Sequence, residues 1–106
     1  MTSITSESQF EEYLKSSSDP VIVDFWAEWC GPCKMISPML EKMSNNVKNV
    51  RFAKINVEQA SDLAEEFGIT GIPTLVLMKN NVEVKRIVGV VSESKLQSVI
   101  SESFGS

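Results

Sequence analysis

Apolar and polar residues along this chain follow two periods that alternate with one another. Val21-Ile22-Val23-Asp24-Phe25-Trp26 is a short apolar, β-branched and aromatic run behind Pro20, the pattern of a buried strand. Met35, Ile36, Met39, Leu40, Met43 and Val47 then recur every three or four residues, which predicts a helix with one apolar face. Pro38 inside it removes an intrahelical donor and predicts a kink, and Asn45-Asn46 with the stretch to Asn49 closes it. Upstream, Ser3-Ile4-Thr5 predicts at most a short edge strand. Ser6 with Gln9 three positions on matches a capping box, opening a helix that carries Phe10, Tyr13 and Leu14 and stops at Ser16-Ser17-Ser18-Asp19-Pro20. Downstream, Arg51 to Val57 has strand composition. Ser61 to Phe67 reads as a helix with Leu63 and Phe67 facing inward and Gly68 as its C-cap. Thr74 to Met78 is a fully buried run, joined to a strand over Val82 to Val91 by Lys79-Asn80-Asn81, a tight hairpin in which Asn accepts positive φ. Ser92 caps a last helix striped by Leu96, Val99, Ile100 and Phe104, and Gly105-Ser106 reads as a frayed end.

The resulting order is β-α-β-α-β-α-β-β-α, an α/β class. Alternation of strand and helix implies a parallel sheet with right-handed crossovers, to which the final hairpin adds an antiparallel edge strand. A chain of 106 residues makes one domain, 1–106, and leaves no room for a second. Its 42% apolar and 23% charged residues are ordinary for a folded globular protein. A net charge of −4 argues against nucleic acid or anionic membranes as partners, and no apolar run approaches the ~18 residues of a membrane-spanning helix. Residues 1–20 hold no apolar core of a signal peptide and one basic residue, Lys15. The expectation is therefore a cytoplasmic, reducing compartment, with a processed organellar form left open.

Both cysteines fall in Trp29-Cys30-Gly31-Pro32-Cys33-Lys34, where the second strand gives way to the second helix. The first N–H groups of a helix have no intrahelical partner, and the macrodipole presents its positive end there. Positions i and i+3 in a first turn share a face, so Cys30 and Cys33 can join in a reversible disulfide. Cys30, at the terminus itself, gains most from those donors, which favour the thiolate and draw its pKa below the ~8.5 of a free thiol. It is the predicted nucleophile. Cys33, one turn in and flanked by Met35 and Ile36, is the predicted resolving thiol, attacking a mixed disulfide intramolecularly. Pro32 suits the first turn, where its missing N–H costs nothing. Structural zinc wants four ligands, and two Cys with no His do not supply them; no metal is expected. A purely structural staple closing so short a loop would add little.

The segment Phe25-Trp26-Ala27-Glu28-Trp29-Cys30-Gly31-Pro32-Cys33-Lys34-Met35 resembles the active-site segment of the thioredoxin family almost residue for residue. Gly71-Ile72-Pro73-Thr74 is similar to the family's cis-proline loop, and Val88-Gly89 to the end of its last long strand. The resemblance spans essentially the whole chain. It implies the thioredoxin fold, a central mixed, mostly parallel five-stranded sheet flanked by four helices, and a general protein-disulfide reductase. It implies a cis Ile72–Pro73 bond that would expose the backbone of Ile72 to an extended substrate segment. Trp29, Gly31, Pro32, Gly71, Ile72, Pro73, Val88 and Gly89 would then form an apolar docking platform of broad tolerance. Asp24, inside an apolar run, has two readings: a carboxylate capping a nearby backbone donor or, as the resemblance implies, a proton acceptor near Cys33 whose pKa is raised by burial. Lys54 is either its partner or a lysine reaching to solvent. The resemblance further implies no bound cofactor, reducing equivalents from NADPH through a flavoprotein reductase (thioredoxin reductase), disulfide-containing client proteins as partners, and a monomer. A disulfide oxidase or isomerase is the rival enzyme; the Gly-Pro dipeptide, in place of a pair containing His, and the missing signal argue against it. A binding subunit with incidental cysteines is the rival outside enzymology.

Overall fold

The computed structural model describes residues 1–105, and Ser106, half of the expected frayed end, lies outside the described residues. The elements are β1 (Thr2–Ile4), α1 (Glu7–Lys15), β2 (Val21–Trp26), α2 (Gly31–Asn46), β3 (Arg51–Asn56), α3 (Ser61–Glu66), β4 (Thr74–Lys79), β5 (Val82–Val88) and α4 (Glu93–Phe104). The order of elements is the one expected. The Ser6 hydroxyl accepts from the Gln9 N–H at 3.2 Å, as a capping box requires, but Gln9 Oε1 accepts from the Thr5 N–H, one residue earlier than the motif specifies. Ser92 caps α4 through the Lys95 N–H. Asn80 and Asn81 both take positive φ, 54° and 64°, in the β4–β5 turn.

One sheet runs in the order β1-β3-β2-β4-β5. β3 is parallel to β1 and β2, whereas β4 is antiparallel to both β2 and β5. Four strands thus point one way and β4 alone the other. The reversed strand stands one place inside the edge, where the hairpin reading put it at the edge. A six-residue strand spans ~20 Å and a six-residue helix only ~9 Å, and residues 57–73 leave the chain at the end of the sheet from which they set out. β4 starts beside Phe25, at the end where β3 finished. β5 stops at Val88 rather than Val91, because Gly89 turns to φ 95°.

Alternation along the strands divides the core in two. Val21, Val23, Phe25, Ile55, Val76 and Met78 face α1 and α3, meeting Phe10 and Leu63. Ile22, Phe52, Leu75 and Leu77 face α2 and α4, meeting Ile36, Leu40, Met43, Leu96, Val99 and Ile100. Each fully buried Leu, Ile or Phe contributes roughly 1.5–3 kcal/mol by leaving water. Asp24 has the parity of Ile22 and Lys54 that of Phe52, so both side chains belong to the α2 face, beneath the first turns of that helix. Among the described residues, no helix is long and apolar enough to cross a membrane.

Candidate active site

The carboxyl end of β2 delivers the chain into α2 through Ala27–Cys30, with the Cys30 N–H donating to the Ala27 carbonyl at 3.2 Å. Cys30 is the N-cap: its backbone is extended (φ −89°, ψ 104°), its carbonyl accepts from the Lys34 N–H, and its Sγ accepts from the Cys33 N–H at 3.2 Å. Gly31 and Pro32 fill the first two helical positions. One of the helix's orphan donors is therefore aimed at the Cys30 sulfur, and an anionic sulfur in that place gains from both the donor and the dipole. Cys30 and Cys33 are joined in a disulfide with Cα atoms 5.3 Å apart. Both are buried, 4% and 2% exposed, and Trp26, Val57 and Ile72 close around them.

The Ile72–Pro73 peptide bond is cis. The Ile72 carbonyl oxygen lies 3.9 Å from Cys30 Sγ, a contact rather than a hydrogen bond, since a disulfide sulfur carries no proton. The loop is pinned at both ends: the Thr74 hydroxyl donates to the Gly71 carbonyl, and the Gly89 N–H donates to the Pro73 carbonyl at 2.8 Å. Among the described residues the backbone N–H and C=O of Ile72 have no backbone partner, so a strand's worth of pairing is open beside the sulfur. A Cβ on Gly71 would sit 3.7 Å from Val88 Cγ1, which puts Val88 against the loop. Trp29 and Val88 are 68% and 65% exposed. Next to them runs an open groove of about 350 Å³ whose lining includes Trp29, Val57, Ala64, Ile69 and Ile72. Trp29, Gly31, Pro32, Gly71, Ile72, Pro73, Val88 and Gly89 are thus gathered around Cys30. Val57, Ala64 and Ile69 escaped the sequence reading because nothing separates them from core residues until the loop is closed.

Behind the disulfide, a second cavity of about 50 Å³ is lined by Asp24, Trp26, Cys33, Lys34, Ser37 and Lys54. Asp24 is 4% exposed, and its Oδ1 has no hydrogen-bond partner, nor does the buried Nε1 of Trp26. Burial pushes the Asp24 carboxyl up to about 7 from its usual 3.8, and the Lys54 charge holds it down by a smaller amount. No backbone donor reaches Oδ1, so the capping alternative finds no support at that oxygen. Lys54 pairs with Asp24 in the β2–β3 register, but its ammonium lies 5.2 Å over the Trp26 ring, and no ion pair joins it to Asp24 among the described residues. Its charge reaches the carboxyl through space while its own position is fixed by the aromatic face. Among the described residues, no cluster of three or more His, Cys, Asp or Glu side chains is placed to hold a metal ion.

Comparison with known proteins agrees with this geometry. The family model for thioredoxin matches residues 1–102. A thioredoxin of Mycoplasma genitalium is 42% identical over 96 residues, 91% of this chain and 93% of its own length. A bifunctional thioredoxin reductase/thioredoxin of Mycobacterium leprae is 42% identical over 100 residues, covering 93% of this chain and 22% of that protein. Among solved structures, a thioredoxin of Fasciola hepatica superposes with a TM-score of 0.90 at 33% identity over 97% of this chain and 99% of its own.

Proposed function

We propose that this chain, which belongs to the thioredoxin family and is a protein-disulfide reductase, works as one domain in which Cys30 attacks, Cys33 resolves and Asp24 takes the proton. Starting from the dithiol, the Cys30 thiolate attacks one sulfur of a client disulfide. The Cys30–client bond forms as the client S–S bond breaks, and the departing client thiolate is protonated. Cys33 then gives its proton to the Asp24 carboxylate behind it and attacks Cys30 Sγ. The Cys30–Cys33 bond forms, and the second client thiolate leaves. Two electrons have passed to the client, whose two thiolates take up one proton from Asp24 and one from water, the latter matching the proton Cys30 shed on ionising, and the protein is left in its disulfide state, the bond the structure contains.

The observation that carries this reading is the sulfur of Cys30 at the N-cap, with the Cys33 N–H aimed at it and the unpaired backbone of Ile72 beside it. An acceptor with a pKa of about 7 is matched to proton transfer near neutral pH. Clients are disulfide-bearing protein segments that lie extended along Ile72, with apolar contact to Trp29 and Val88, so main-chain pairing dominates and sequence tolerance is broad. Return to the dithiol needs a two-electron donor, which we assign to NADPH acting through a flavoprotein thioredoxin reductase. Support comes from the Mycobacterium leprae relative, whose name joins those two functions in one chain. The cycle itself requires no cofactor on this chain, no nucleic acid and no membrane, and suits a monomer in the cytoplasm or another reducing compartment. Cys33→Ser tests the assignment: it captures client proteins as disulfides at Cys30, while Cys30→Ser captures none. Capture by the second variant and not the first would reverse the two roles.

A further inference from the structure

Four observations meet behind the disulfide, and of the groups they concern the exchange itself uses only the Asp24 carboxylate. Asp24 Oδ1 is a buried acceptor without a donor, and Trp26 Nε1–H is a buried donor without an acceptor. They line one polar cavity of about 50 Å³, where a single water needs only roughly 10–15 Å³ of space open to its centre. Ser37 lines it too, one turn beyond Cys33 on the same face of α2, and brings the only side-chain hydroxyl among the lining residues. That hydroxyl makes no hydrogen bond to a described residue; Ser98, by contrast, donates back to the Ser94 carbonyl in its own helix.

We infer that Ser37 is a positioning residue for Asp24: its hydroxyl and the Trp26 indole N–H together hold a water against the Asp24 carboxylate, and this hydration steadies the ionised carboxylate. The inference rests on the same site as the proton-acceptor role of Asp24, but it concerns what sets the carboxyl's proton affinity rather than what the proton is used for. The other groups facing Asp24 do not replace Ser37. Cys33 and Lys34 come from α2, Lys54 from β3 with its ammonium over Trp26, and Leu75, its neighbour in register on β4, is apolar. A donor that bonds the charged form lowers a carboxyl pKa, so losing it raises the pKa.

The test is an infrared titration of the Asp24 carboxyl stretch in the disulfide form, with Asp24→Asn assigning the band. Ser37→Ala keeps α2 intact, since Ala is the better helix former. Its titration midpoint is expected to rise by about half a pH unit or more, as suits loss of a water-mediated bond to a charge, and Ser37→Thr, which restores the hydroxyl, is expected to return it to the wild-type value. An unchanged or lowered midpoint in Ser37→Ala, or an equal rise in Ser37→Thr, overturns the inference. The readout does not involve turnover. Failure of the acceptor role is scored separately, by a pH–rate profile of disulfide reduction that Asp24→Asn leaves unaltered.

Discussion

Replacing Asp24 by Asn should change how stability depends on pH, and the structure sets both sign and size. The carboxyl is 4% exposed and unpaired at Oδ1, and burial raises its pKa from 3.8 to about 7. The folded state therefore binds this proton more tightly than the unfolded chain does. A carboxyl shifted upward contributes stability while it is protonated, fully so below the unfolded pKa, and that contribution disappears as pH rises through the folded value. The gap is a little over three decades of proton affinity at ~1.4 kcal/mol each, so the ionised carboxylate is about 4 kcal/mol worse off in the fold than its protonated form. Between roughly pH 5.5 and 8.5 the loss amounts to about 2 kcal/mol. Asn cannot ionise, so whatever its amide costs is the same at every pH. Guanidinium unfolding of the disulfide form of both proteins should show Asp24→Asn gaining about 2 kcal/mol relative to the parent from the lower pH to the higher. A difference that stays constant across that range, or that shifts in favour of the parent as pH rises, would refute the buried, proton-accepting carboxyl.

Trp29→Ala removes an indole that is 68% exposed, so stability should move by no more than ~0.5 kcal/mol. The kcat/KM for a protein disulfide should fall about five- to tenfold while that for a small organic disulfide stays near its parent value; equal losses on both substrates would remove Trp29 from the docking surface. Asn81→Gly places the residue without a Cβ at a position already held at φ 64°, and thermal unfolding should show a gain of about 0.5 kcal/mol with activity unaltered.

Much of this molecule was legible because its instructions are local. The run of Val21 to Trp26, the spacing of Met35 to Met43 and the caps at Ser6 and Ser92 each name an element through neighbours within four residues, and each is found where it was read. The position of Cys30 at the start of α2 follows from the same local grammar. What failed was non-local. The direction of β4 depends on where residues 57–73 leave the chain relative to the sheet, which the pattern within Ser61–Glu66 does not state. The end of β5 at Val88 depends on Gly89 donating to Pro73, sixteen residues away. Lys54, read as partner to Asp24 or as a lysine reaching to solvent, lines the cavity with Asp24 and acts on its carboxyl by charge, while its ammonium lies over Trp26, a seat on an aromatic face that no strand pattern reveals. Ser37 carried no signal at all: one serine on a helix face gains meaning only when the cavity it shares with Asp24 and Trp26 exists.

The central claim is that the N-cap sulfur, and not its neighbour one turn on, is the acidic and attacking thiol. Alkylation of the fully reduced protein with a small electrophile across a pH series, with each modified cysteine identified by mass spectrometry, tests it directly. Cys30 should react first at every pH, with a midpoint clearly below the ~8.5 of a free thiol, and Cys33 should lag behind it. Preferential modification of Cys33, or a Cys30 midpoint at or above the free-thiol value, would contradict the account.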